Sequence, residues 1–172
     1  MKAKVFNRFM VKTLIFLLII FLPLHVIGQE DLEKGKEEIR VLNQKRMDLF
    51  REGRFEEAIP YAEQVLEMQE KRLGKDHLDV TNSLDNLAHL YWGTGRYDEA
   101  ESFYKRALSI REKSVGVDHP SIALSLHYLG NLYRSLGKYT QAEDFLKQAL
   151  EIRERVLKKE HPDIAQSFNT IG

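Results

Sequence analysis

The sequence predicts an all-α fold, an α-α superhelix of three helical hairpins plus a truncated fourth, preceded by an N-terminal signal segment. Three observations predict it. His77, His119 and His161 mark a period of 42 residues. Aligned without gaps, residues 77–118 and 119–160 share 17 identities in 42, and residues 35–76 and 77–118 share 10. Each period carries two apolar stripes at helical spacing, divided by a glycine.

The N-terminal segment comes first in chain order. Lys2, Lys4, Arg8 and Lys12 precede Leu14-Ile15-Phe16-Leu17-Leu18-Ile19-Ile20-Phe21-Leu22, a basic region followed by an unbroken apolar run. That is the pattern of an export signal. The uncharged stretch from Thr13 to Gln29 is interrupted by Pro23 and His25 and is shorter than the roughly 20 residues that a helical bilayer crossing needs. Val26-Ile27-Gly28 offers compact residues ahead of a cut before Gln29. Cleavage is therefore favoured, giving a signal peptide over 1–28, a short linker over 29–34 and the repeat array over 35–172. Retention as an anchor is the other fate. Both place everything after residue 30 outside the cytoplasm, in the periplasm or secreted.

Composition narrows the function classes. The chain has 26 Lys plus Arg and 26 Asp plus Glu, but four of the basic residues lie in the signal segment, leaving 22 against 26 beyond it. A mildly acidic remainder argues against nucleic acid as a partner, since polyanion binding needs basic residues gathered in surplus. With no cysteine, thiol nucleophiles, Cys-type zinc sites and disulfides are excluded.

In the middle repeat, Val80, Leu84, Leu87, Ala88 and Tyr91 form one helical stripe, which predicts a first helix, A, over about 78–93. Gly93-Thr94-Gly95 breaks it. Ala100, Phe103, Tyr104, Ala107 and Leu108 then mark a second helix, B, over about 97–114. Small residues at 100 and 107 let the partner helix approach while an aromatic ring fills the space above. The links Asp118-His119-Pro120 and Glu160-His161-Pro162 read as helix starts, with proline where no N–H is missed and histidine or aspartate able to cap. The same columns recur in every repeat: Leu42/Leu84/Leu126, Leu49/Tyr91/Tyr133, Gly53/Gly95/Gly137, Phe55/Tyr97/Tyr139, Ala58/Ala100/Ala142 and Tyr61/Phe103/Phe145. One hairpin buries too little apolar surface to stand alone, so the repeats must stack.

These columns resemble tetratricopeptide repeats. Leu87-Ala88, Tyr91, Gly95, Tyr97, Ala100, Tyr104 and Ala107 reproduce that family's spacing, and the 42-residue period is similar to the longer subclass typified by kinesin light chain. The first repeat departs most, with Lys45-Arg46 where Leu87-Ala88 stand and Ala62 in place of Tyr104, which suits an N-terminal cap. The resemblance implies a non-enzymatic scaffold that binds a protein or peptide segment on the concave face formed by the A helices. It implies groove columns Arg40/Asn82/Leu124, Asn43/Asp85/His127/Asn169, Gln44/Asn86/Tyr128/Thr170, Met47/His89/Asn131 and Phe50/Trp92/Arg134. The candidate peptide-binding residues are accordingly Asn43, Gln44, Asn82, Asp85, Asn86, His89, Trp92, His127, Tyr128, Asn131 and Arg134. Their amides and imidazoles can pair with a ligand backbone, and Trp92 can supply an aromatic anchor.

Sharper chemistry is not supported by the pattern. The three period-42 histidines lie one helix pair apart, too far to share a metal ion whose ligands sit at about 2.0–2.1 Å. Gly93-Thr94-Gly95 follows a helix, not a strand, which is not how a phosphate loop is placed. His89, His127 and Asn131 have no nucleophile or orienting carboxylate assigned to them. No catalytic residue, cofactor or metal is expected, and a membrane enters only through an uncleaved N-terminal segment. The strings Glu67–Arg72 and Arg153-Glu154-Arg155 read as solvated helix faces with i,i+4 ion pairs.

The fourth repeat starts at His161-Pro162 and stops at Gly172, midway along its A helix. Ile164, Phe168 and Ile171 are expected to cover part of the third repeat. Such an end fits a fragment of a longer protein or an end covered by another molecule. The alternative function follows from the first: the N-terminal sensor or regulatory part of a longer bacterial signalling or proteolytic protein whose output domain is absent.

Overall fold

The computed structural model describes residues 31–158 and 161–171. The signal reading at 1–28 lies outside the described residues. Two compact units divide the chain, Met1–Val41 and Leu42–Gly172. In the first, residues 31–41 are helical, so helix already occupies 31–34, the part of the sequence read as linker. The physical reason is local: Glu33 pairs with Lys36 at 2.6 Å and Glu37 with Arg40 at 2.5 Å, both one turn apart on the helix. Among the described residues no helix is long and apolar enough to cross a membrane.

The second unit opens with helical residues 42–51, here α1, followed by α2 (Phe55–Leu73), α3 (Val80–Gly93), α4 (Tyr97–Val115), α5 (Pro120–Ser135), α6 (Tyr139–Val156) and α7 (Pro162–Ile171). No strand occurs among the described residues. The expected helices over 78–93 and 97–114 are thus found within two residues at each end. Consecutive helices pack on one another, α2 on α3, α3 on α4, α4 on α5, α5 on α6 and α6 on α7, which is the serial stacking of a helical solenoid.

The turn inside each hairpin is built three times in the same way. Gly95 takes φ of +78°, its N–H donates to the Trp92 carbonyl at 3.0 Å, and the Arg96 N–H donates to the Tyr91 carbonyl at 2.8 Å. Gly53 and Gly137 take φ of +72° and +71°, with the same pair of bonds to the preceding helix. Glycine at these positions avoids the steric cost of left-handed backbone while closing the orphaned carbonyls. The links between hairpins use histidine as read: Nδ1 of His77, His119 and His161 each accepts the N–H two residues on, at 3.2 Å in all three cases. These are helix starts, with Pro120 and Pro162 leading α5 and α7.

Packing follows the repeating columns. Leu49, Leu84, Leu87, Ala88, Tyr91, Ala100, Tyr104, Ala107, Leu129, Leu132, Tyr133 and Ala142 are buried in one core running through successive hairpins. A second cluster joins Ile122, Ala123 and Leu126 of α5 to Ala149 and Ile152 of α6. Tyr91 stacks on Phe103 with centroids 5.5 Å apart, and Tyr133 meets Phe145 at 5.2 Å. The periodic reading overreaches at two core columns. Tyr139 is 70% exposed and Phe168 is 55% exposed, although their counterparts Phe55 and Leu84 are covered. Phe55 lies against Gly93 of the following hairpin. Among the described residues the next A helix, α7, packs chiefly on α6, and Tyr139 at the start of α6 stays open to solvent.

Candidate functional site

An α-helix brings residues spaced 3, 4, 7 and 10 apart onto one face. In α3 that spacing aligns Asn82, Asp85, Asn86, His89 and Trp92; in α5 it aligns Leu124, His127, Tyr128, Asn131 and Arg134. The structure brings these stripes together edge to edge. His89 packs against Tyr128 at 4.5 Å between centroids, nearly perpendicular, and against Tyr104 at 5.4 Å. Trp92 is half-buried on the core, and its indole N–H donates to Ser135 Oγ at 3.1 Å. Arg134 is exposed and donates to the Thr170 carbonyl of α7 at 3.3 Å. The predicted residues therefore form a wall in which neighbouring A helices abut.

The rest of the predicted set is distributed around that wall. In α1, Gln44 is exposed and donates to Asp48 at 2.9 Å, while half-buried Asn43 accepts from Arg46 at 3.4 Å. Met47 and Phe50 are exposed. Asn86 and Asn131 are half-buried, and Asn82 is exposed with Oδ1 at 3.5 Å from Arg111. Asp85 and His127 depart from the expectation of open groove side chains. They are 6% and 7% exposed, because both sit where the A helix meets an arginine from its B helix.

That arginine belongs to a feature the sequence reading missed. Arg111 of α4 donates from Nη1 to Ser125 Oγ of the next hairpin at 2.6 Å and from Nη2 to Asp85 Oδ2 of its own hairpin at 2.6 Å. Forty-two residues later, Arg153 donates from Nη1 to Ser167 Oγ at 2.6 Å and to the Asp163 carbonyl at 3.2 Å. Forty-two residues earlier, Gln69 Oε1 accepts from Ser83 Oγ at 2.7 Å. A B-helix polar residue thus ties each hairpin to a serine of the next. The serine column Ser83/Ser125/Ser167 is visible in the sequence, and all three are buried. Arg153 corrects the reading of its string as a solvated face: it is 3% exposed, whereas Glu67 and Lys71 do form the expected exposed i,i+4 pair.

Burial sets the protonation of the wall. It holds His89 below the ordinary histidine value, and the Nδ1–H of that ring donates to the Asp85 carbonyl at 2.7 Å. His127 is likewise held down, first by burial and then by the Arg153 and Arg134 charges. Burial pushes Asp85 up, against the hydrogen bond and charge of Arg111. Neutral imidazoles, amides and aromatic edges dominate, so the wall can exchange hydrogen bonds with a peptide backbone. Among the described residues no group of three His, Cys, Asp or Glu is placed to hold a metal ion.

Comparison with known proteins agrees with this architecture. The tetratricopeptide repeat family matches residues 38–113, 83–155 and 121–172. No curated protein matches the chain. Among solved structures, the "kinesin light chain nearly identical TPR-like repeats" of Podosopora anserina are similar, with 28% identity and a TM-score of 0.69 over 77% of this chain and 63% of that one. BtubC from P. vanneervenii shares the fold at 22% identity and a TM-score of 0.70, over 77% of this chain and 53% of that one. The N-terminal domain of stress-induced protein-1 from C. elegans shares it at 14% identity and a TM-score of 0.54, over 81% of this chain and 94% of that one. The chain spans less than two thirds of the length of the first two of these structures. Serial hairpins, a glycine turn repeated three times and the family match together make one conclusion: this chain belongs to the tetratricopeptide repeat family.

Proposed function

We propose that the chain is a non-enzymatic scaffold, working outside the cytoplasm, that binds a peptide or helical segment of a partner protein along the concave wall of its A helices. Tetratricopeptide repeat proteins are generally non-catalytic scaffolds, and their fold suggests protein–protein interaction. The observation that carries the finer reading is the A-helix wall itself. Asn86, His89, Trp92 and Asn131 sit half-buried over a packed core, amphipathic groups held on one wall. Such positions give a partner backbone fixed donors and acceptors at small entropic cost to the scaffold. Trp92 adds a large ring already oriented by its bond to Ser135. The location outside the cytoplasm rests on the basic region and apolar run at residues 2–22.

The test is affinity capture and cross-linking from the exported fraction with the native chain and with an Asn86→Ala/Trp92→Ala variant whose helicity is checked by circular dichroism. A partner captured by the native chain and lost by the folded variant supports the groove. Identical partners for both would move binding elsewhere on the surface. Fractionation that finds the chain in the cytoplasm with residues 1–28 intact would remove the exported location.

A further inference from the structure

Two junctions join the three complete hairpins, one between α2 and α3 and one between α4 and α5, and much of their wiring is the same. At each, a B-helix polar residue is bonded to a serine of the next A helix, Gln69 to Ser83 and Arg111 to Ser125. At each, a tyrosine of that A helix donates to a glutamate of the preceding B helix, Tyr91 to Glu63 at 2.8 Å and Tyr133 to Glu101 at 2.7 Å. The difference lies where B helix meets B helix.

At the first junction Arg106 of α4 is a staple. Its Nη1 lies 2.6 Å from Glu70 Oε1 of α2, and its Nη2 donates to the Lys75 carbonyl of the link at 2.8 Å. The two side chains are 34% and 16% exposed. The column reads Gln64/Arg106/Gln148, so the second junction has glutamine in the place of the arginine. Gln148 is exposed and donates to the Asp144 carbonyl of its own helix at 3.2 Å, and Glu112, the counterpart of Glu70, is exposed. Among the described residues the one ion pair across this junction joins Arg155 of α6 to Asp118 of the link, 2.6 Å apart with both side chains more than half exposed. The apolar core divides at the same place. Val80 and Leu84 of α3 share a cluster with Ala62 and Leu66 of α2. By contrast, Ile122, Ala123 and Leu126 of α5 cluster with Ala149 and Ile152 of α6, apart from the cluster that holds Ile110 of α4, with half-buried Leu108 and Val115 of α4 at the edge.

We propose that the array carries a salt-sensitive hinge at its second junction: hairpin α5–α6 swings on hairpin α3–α4 about the Arg111–Ser125 bond, restrained on the B-helix side by the exposed Arg155–Asp118 pair, while Arg106 holds the first junction fixed. An exposed ion pair restrains little, and less as salt screens it. A largely covered guanidinium bonded to both a carboxylate and a carbonyl is screened far less. The second junction is also the one spanned by His89–Tyr128 and Trp92–Ser135, the contacts that join the α3 and α5 stripes, so a swing there changes the spacing of the two halves of the wall. The hinge holds whatever the wall binds.

The chain has no cysteine, so two introduced cysteines carry nitroxide labels at chosen sites. In the purified chain, Gln64→Cys/Ser102→Cys spans the first junction and Ser102→Cys/Asp144→Cys the second, all three positions being exposed on their helices. Double electron–electron resonance is expected to give the second pair a distance distribution about twice as wide as the first, widening further between about 0.02 M and about 0.5 M NaCl while the first stays unchanged. Asp118→Asn is expected to give the second pair at low salt the width seen at high salt, and Arg155→Gln to do the same from the other side of the ion pair. Arg106→Gln is expected to widen the first pair, with circular dichroism checking that each variant is folded. Equal widths at the two junctions of the native chain overturn the hinge, and so does a second-junction width that neither salt nor the substitutions at Asp118 and Arg155 change.

Discussion

Arg111 Nη2 stands 2.6 Å from Asp85 Oδ2, and both side chains are almost wholly withdrawn from water. Removing one member leaves the other charged and uncompensated, which costs more than the pair contributes when intact. Arg111→Met is therefore expected to lower unfolding stability by about 3–5 kcal/mol in urea titration. Asp85→Leu/Arg111→Met removes both charges and is expected to recover most of that loss. A double variant as unstable as Arg111→Met would show instead that the bond from Arg111 to Ser125 carries the stabilisation.

Gly130 is a packing glycine, not a turn glycine. A Cβ built there would lie 2.6 Å from Leu146 Cγ, 2.8 Å from Leu146 Cδ2 and 3.2 Å from the Ala142 carbonyl. In an exposed helix Gly→Ala gains about 1 kcal/mol. Here the contact with the α6 backbone limits how far Leu146 can relieve the clash, and overpacking costs typically about 1–3 kcal/mol. The clash is expected to win, so Gly130→Ala should lower the midpoint of thermal unfolding. Gly130→Ala/Leu146→Ala should lose less than the two single losses added together.

These two sites show where sequence reading reaches and where it stops. Helix bounds, the glycine turns and the histidine starts were legible because each depends on residues within one or two turns of chain. Arg153 was not, since a charged residue in a polar string looks solvated until the serine 14 residues on in the next hairpin is set against it. The serine column at period 42 was the available signal. Phe168 and Tyr139 misled for the converse reason: a repeating column predicts burial only when a neighbour packs on both sides. Asp85 and His127 share a groove column by spacing, yet their depth is decided by a B-helix arginine that helical periodicity does not relate to them.

Pro60 lies inside α2, exposed, six residues into the helix. Its nitrogen carries no hydrogen to give the Glu56 carbonyl, and its ring crowds the preceding turn. Proline in a helix interior is about 3 kcal/mol worse than alanine, offset in part by about 0.4–1 kcal/mol from its restriction of the unfolded chain. Pro60→Ala is expected to raise stability by about 1–2 kcal/mol, read as a higher urea midpoint with an unchanged slope. An unchanged or lower midpoint would mean that the backbone geometry set by Pro60 is needed for α2 to seat on α3.

Acid sensitivity follows from the two wall histidines. Burial depresses both His89 and His127 below the ordinary value of 6.5, and the neighbouring Arg153 adds to the depression at His127. Below that value the unfolded chain binds protons that the folded chain does not, so stability rises with pH there. The contribution of the neutral imidazoles is complete above about pH 6.5 and is lost as pH falls through the unfolded value toward the folded ones. Asp85 acts with the opposite sign, because burial raises its carboxyl pKa against the hydrogen bond and charge of Arg111. Thermal unfolding followed by circular dichroism is therefore expected to show a falling melting temperature between pH 7 and pH 5. His127→Gln should flatten part of that slope and His89→Gln another part, while neither changes the profile above pH 7. A native profile that is flat across this interval, or one untouched by either substitution, would place the acid sensitivity of the fold in groups other than these imidazoles.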